Sequence, residues 1–190
     1  MNHPYTFDAL PEPVVTPDEF RFAAVGLDHA HIHGMTDGLL GAGAGVTWVF
    51  DQDAAKAAAF AERYPSARIA SSEQEILDDP AVHLVATAAI ASERAPVALR
   101  AIEAGKDAFV DKAPLTTLTQ LEAAREATAR TGRKYAVYYG ERLHTESAVL
   151  ADQLIQRGAI GRVLQVASFG PHRVGTGRPA WFFDPAQYGG

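Results

Sequence analysis

The segment Gly26-Leu27-Asp28-His29-Ala30-His31 follows an apolar run at 22–25 and precedes a stretch of helical period. At such a junction a G-x-G-x-x-G turn cradles a pyrophosphate against a helix N-terminus. Only the first glycine, Gly26, is present. Asp28 stands where bare backbone would approach the phosphates, and His31 replaces the third glycine. A carboxylate at that point repels phosphate unless it turns away to cap the helix, and the purely structural reading of Asp28 is such a cap. Gly26, Leu27, Asp28, His29 and His31 are expected to form the cofactor loop. Asp51 ends a second apolar run, 25 residues beyond Gly26. That is where an acid hydrogen-bonds the ribose 2′-hydroxyl of an adenosine. Its alternative duty is to cap the helix starting near Ala54, and the two are compatible. Asp53 adds negative charge and no arginine adjoins it, so NAD is expected as cofactor and NADP is disfavoured.

His29, His31 and His33 suggest metal ligands, because a spacing of four puts His29 and His33 on one helical face. No carboxylate-and-histidine constellation elsewhere completes the set, and histidines at a helix N-terminus often face a phosphate or solvent, so no metal is expected. No Ser-His-Asp or paired-carboxylate pattern is recognisable.

The elements that hold these residues follow from periodicity. Short Val- and Phe-rich runs at 22–26, 46–50, 68–70, 83–88, 107–110 and 134–139 read as strands. Ala-rich segments at 32–40, 54–64, 74–77, 95–104 and 118–131 read as helices, stopped by Pro65, Gly105 and Gly132. Strands alternating with helices imply an α/β fold with one doubly wound parallel sheet. The Gly41–Gly45 run GAGAG reads as a helix-to-strand turn, and 1–20, broken by Pro4, Pro11, Pro13 and Pro17, as an irregular arm. Further on, 145–157 reads as a helix and 162–169 as the opening strand of another domain. The expected division is an arm at 1–20, a nucleotide-binding domain at 21–142 and the incomplete start of a substrate domain at 143–190.

Composition narrows the classes. Of 190 residues, 47% are hydrophobic and 21% charged, the balance of a folded chain. A formal charge of −6 offers no broad basic surface for nucleic acid or an anionic membrane. There are no cysteines, which removes disulfides and Cys-ligated zinc. No basic leader or long apolar run is present, so a cytoplasmic location is expected.

Residues 83–118, HLVATAAIASERAPVALRAIEAGKDAFVDKAPLTTL, resemble the Gfo/Idh/MocA oxidoreductases, in which a strand, a helix ending A-G-K, a strand and an E-K-P motif follow in order. Ala104-Gly105-Lys106 and Asp111-Lys112 carry the match. It continues through Thr131-Gly132-Arg133, Tyr139-Gly-Glu141-Arg142, Gly158-Ala-Ile-Gly161-Arg162-Val163, Gly170-Pro-His172-Arg173 and Arg178-Pro-Ala-Trp181-Phe-Phe-Asp184 to Tyr188-Gly189-Gly190. The resemblance implies a Rossmann-type domain followed by the truncated beginning of an α+β substrate domain. It implies hydride transfer between nicotinamide and a sugar, polyol or related small substrate, with Lys112 as the catalytic lysine. Ala88, Ala89, Asp111 and Lys112 then join the cofactor site, and Arg142, His172, Arg173 and Trp181 the substrate site. Asp111 replaces the family's glutamate, and Ala113 separates Lys112 from Pro114, removing the Lys-Pro step that is often cis. Ala88-Ala-Ile-Ala-Ser92-Glu93-Arg94 replaces T-P-x-x-x-H.

Three classes stay open from sequence: an NAD-dependent dehydrogenase, a non-catalytic nucleotide-binding or sensor protein, and a scaffold that binds no nucleotide. A homo-oligomer through the second domain is expected, and 1–190 alone is expected to be inactive.

Overall fold

In the computed structural model, residues 12–140, 145–169, 175 and 177–189 are described. Six parallel strands, β1 (Arg21–Val25), β2 (Gly45–Phe50), β3 (Arg68–Ile69), β4 (Leu84–Thr87), β5 (Asp107–Asp111) and β6 (Tyr135–Tyr138), form one sheet in the order β3-β2-β1-β4-β5-β6. The helices between them are α1 (His31–Gly41), α2 (Ala54–Arg63), α3 (Glu73–Asp78), α4 (Ala91–Glu103) and α5 (Leu118–Thr131).

The period-2 alternation of β1 explains the double winding. Phe22 and Ala24 face a cluster with Ile32 and Met35 of α1 and Phe60 of α2, whereas Ala23 and Val25 face Ile76 of α3 and Val97 and Ala101 of α4. Both faces of the sheet are covered, as a parallel sheet requires. Burying a side chain such as Phe22 or Phe60 contributes about 1.5–3 kcal/mol.

Asp53, Ser72 and Thr117 cap α2, α3 and α5 through the backbone N–H groups of Ala55, Glu75 and Gln120. The N-caps of α1 and α4 are Ala30 and Ile90, and neither makes a side-chain cap. These two helices begin on either side of the point between β1 and β4 where the winding reverses.

By contacts, Glu12–Tyr138 with Trp181–Gly190 form one unit, and Tyr139–Ala180 lies in another. Residues 12–20 therefore belong with the sheet. Val14 and Val15 donate to the carbonyl of Ala42, and a Cβ on Gly43, whose φ is +96°, would meet the carbonyl oxygen of Val15 at 1.9 Å. The aromatic segment also groups with the sheet, through a 3-10 turn (Ala180–Phe183) and α7 (Pro185–Tyr188). In the other unit α6 (Glu146–Gln156) forms where the sequence placed a helix. The expected strand at 162–169 does not form. Among the described residues no strand pairs with it, and Leu164, Val166 and Phe169 are 81%, 79% and 96% exposed. Apolar alternation favours a strand only where a neighbouring ladder takes up its backbone donors and acceptors.

Candidate cofactor and active site

The loop after β1 is closed by backbone pairing. Ala88 N–H donates to the carbonyl of Gly26 at 3.0 Å, and His29 N–H to the carbonyl of Ala88 at 2.9 Å. Gly26 has φ +74°, and a Cβ there would lie 2.7 Å from the Cβ of Ala89. Only glycine lets the β1 and β4 loops approach so closely.

Asp28 does not cap α1, contrary to the structural reading of the sequence. Its carboxylate accepts from Lys56 Nζ on α2 at 2.5 Å and from Ile90 N–H at the start of α4 at 3.1 Å. A full cation and the positive end of α4 outcompete the neutral N–H groups of α1. The bond to Asp28, with Asp51 and Asp53 adding attraction, holds the Lys56 ammonium above its ordinary pKa.

Asp51 accepts from Leu27 N–H at 2.7 Å and Asp53 N–H at 2.8 Å, so it ties the β1 loop to the end of β2 while Asp53 caps α2. Each of these Asp51 bonds leaves its oxygen a further lone pair for a hydroxyl. Asp51 opens on a cleft of about 380 Å³ with apolar walls from Phe50, Ile90 and Val97. The donor set suits the adenosine half of a dinucleotide: apolar walls for a base and an anchored carboxylate for ribose. Asp28, Asp51, Asp53, Glu73 and Glu93 line the cleft against Lys56 and Arg100, an excess of negative charge unfavourable to a 2′-phosphate.

A second cluster gathers at the end of β5. Asp111 is fully buried, and its Oδ1 lies 2.8 Å from His31 Nδ1. Its Oδ2 lies 3.0 Å from Arg94 Nη2 and 3.4 Å from His29 Nδ1. Arg94, 2% exposed, also donates from Nε to the carbonyl of Ala89 at 2.7 Å and from Nη1 to that of Lys112. It thus binds the β4 loop to the strand end carrying Lys112, which is half-buried. The Lys112–Ala113 peptide is cis although no proline follows Lys112, contrary to expectation. Trp181 packs against Phe182 with centroids 4.0 Å apart and ring planes tilted by 33°, and lies 6.0 Å from the Arg94 guanidinium, while Phe182 reaches the His29 ring at 5.9 Å. Arg142, His172 and Arg173 lie outside the described residues, as does Glu141.

Sequence reasoning missed Arg94 and grouped the histidines differently. Arg94 falls among the buried positions 91, 94, 95, 97, 98, 101 and 102 of α4, a helical period that marks it as inward-facing. His33 does not join His29; its ring packs on Phe60 and Tyr64. Burial, reinforced by Arg63 and opposed by Asp37, lowers its pKa.

A parallel sheet in this order, with an acid at the end of β2 and crevice helices beginning at β1 and β4, defines the dinucleotide-binding class of α/β proteins. Residues 20–139 match the Gfo/Idh/MocA family model, described as "Oxidoreductase family, NAD-binding Rossmann fold", and the chain belongs to that family. A solved oxidoreductase structure from Erwinia carotovora atroseptica is 47% identical, with TM-score 0.85 over 90% of this chain and 52% of that one. Levoglucosan dehydrogenase from Pseudarthrobacter phenanthrenivorans is 31% identical over 129 residues, 68% of this chain and 31% of its own length. D-xylose dehydrogenase from Paenarthrobacter nicotinovorans is 29% identical over 145 residues, 72% of this chain and 36% of its own. The chain spans about a third of the length of these curated relatives.

Proposed function

We propose that this chain supplies the cofactor-binding part of an NAD-dependent dehydrogenase acting on a sugar, polyol or related small hydroxy or carbonyl compound. The observation that carries the reading is Lys112 at the C-terminal end of β5, anchored through its own carbonyl by the buried Arg94–Asp111 pair, in a chain of this family. When bound, NAD supplies the hydride acceptor. Gly26, Leu27, Asp28, His29 and His31 form the loop on which it rests, Ala88 and Ala89 the facing wall, and Asp51 its ribose anchor. Lys112 would hold the substrate oxygen and stabilise the negative charge it carries once its proton is lost, a charge that leaves with the hydride as the carbonyl forms. Trp181, with Arg142, His172 and Arg173, belongs to the substrate side. The two sugar-acting relatives support the substrate class. The exposed Leu164, Val166 and Phe169 support self-association through the second unit.

The second reading, a nucleotide-binding sensor without turnover, is favoured by the loop itself, where Asp28 and His31 replace two glycines. Calorimetric titration with NAD, NADH and NADP tests the cofactor assignment: NAD is expected to bind and NADP to bind more weakly, and equal affinity would refute the role of Asp51. Turnover of levoglucosan or D-xylose with NAD by a longer chain carrying this domain, lost by orders of magnitude in Lys112→Ala while NAD binding persists, separates dehydrogenase from sensor. Turnover unchanged by that substitution returns Lys112 to a surface role.

A further inference from the structure

We propose that His29, His31 and Asp111 form a binding site for one divalent transition-metal cation. Ligand atoms of the three residues all lie within 4.8 Å of one another. The measured pairs, 3.4 Å from His29 Nδ1 to Asp111 Oδ2 and 2.8 Å from His31 Nδ1 to Asp111 Oδ1, bracket the matter. Donors about 2.0–2.2 Å from a tetrahedral metal stand roughly 3.3–3.5 Å apart, so the first pair is already at that spacing. The second needs to open by about half an ångström, replacing the proton between His31 and Asp111 by the metal.

The three ligands come from rigid places. His29 is pinned by its N–H bond to Ala88, His31 opens α1, and Asp111 ends β5; the lone pair of His29 Nδ1 accepts the His31 backbone N–H at 3.2 Å, a bond that the metal would displace. The carboxylate is fully buried. Its Oδ2 touches Arg94 without a well-directed hydrogen bond among the described residues, which leaves acceptor capacity toward the histidines. Arg94 plays the part of an outer partner that fixes a ligating carboxylate. Its charge is spread over the carbonyls of Ala89 and Lys112 as well as Asp111. Beside the carboxylate, the remaining donors are two imidazole nitrogens. That set selects zinc, cobalt or nickel over magnesium or calcium. The His31 side chain is 34% exposed, so the cluster can be reached from solvent on the His31 side. The site stands whether or not the protein is a dehydrogenase.

The test uses the tag-free, chelator-treated chain, with Zn²⁺ followed by calorimetry and thermal shift, and Co²⁺ by visible absorption. One saturable site per chain is expected, with a higher melting temperature and the intense visible bands of tetrahedral cobalt. His29→Gln and His31→Gln are each expected to weaken Zn²⁺ at least tenfold, and His33→Gln to leave it unchanged. In the unsubstituted protein, histidine ring NMR signals of His29 and His31 should move on adding Zn²⁺ while those of His33 stay, a readout independent of whether the variants fold. Absence of saturable binding, binding indifferent to His29 and His31, or a loss in His33→Gln equal to that in His29→Gln would each overturn the site.

Discussion

Arg94 shows how one side chain organises the crevice. Its guanidinium spans from the Ala89 carbonyl to Lys112 and neutralises Asp111 in a place closed to water. Removing one partner of such a pair strands the other, at a cost of about 3–5 kcal/mol. Arg94→Met is therefore expected to lower stability by that order in urea denaturation, and Arg94→Met with Asp111→Asn to lose less than Arg94→Met alone. A double variant whose loss equals the sum of the two singles would show the groups to be uncoupled. The places of Gly26 and Asp51 in the fold were legible from sequence because each sits at a fixed offset from a strand, and that of Lys112 was carried by the family resemblance. Arg94 was hidden because the sequence reading began the helix at 95 and left it in the preceding loop, out of register with Ala91, Ala95 and Ala98. The meeting of His31 with Asp111, 80 residues apart, is a product of the sheet order, which no local spacing reports.

Among the elements, α4 explains why boundaries were the weaker part of the sequence reading. It was expected from 95, yet it starts at Ala91 and Pro96 lies inside it. Proline there has no N–H for the carbonyl of Ser92. The Gln120 side chain of α5 supplies the missing donor at 3.1 Å, while its oxygen accepts from Thr116 N–H at 2.7 Å. Tertiary context repairs what the local rule forbids, so only the whole fold could reveal the helix start. Gln120→Ala is expected to destabilise by about 1–3 kcal/mol, the cost of stranding buried polar groups. Denaturation midpoints within error of the unsubstituted protein would mean that solvent serves Ser92 and Thr116 equally well. The strand expected at 162–169 has no such neighbour among the described residues. The six sheet strands did, and each was legible within a residue or two.

At the scale of the whole molecule, acidity acts on stability through a group outside the β5 cluster. His33 faces Asp37 of its own helix, Arg63 of α2, and the rings of Phe60 and Tyr64. The Tyr64 hydroxyl donates to Asp37 at 2.8 Å, and burial pushes its pKa up to about 12, so it stays protonated throughout the acid range. Burial first, then Arg63, lowers the His33 pKa below the ordinary 6.5, with Asp37 only partly compensating. The folded state thus binds this proton less readily than the unfolded chain. The stability contributed by neutral His33 is complete above pH 6.5 and is lost as pH falls from there through the lowered folded value. His33→Asn removes the titrating group but not Asp37 or Arg63. Melting temperatures of the two proteins measured from neutral pH downward are expected to converge as the pH drops below about 6, the variant falling less steeply. Parallel curves would place the acid sensitivity in the carboxylates and leave His33 without a part in it.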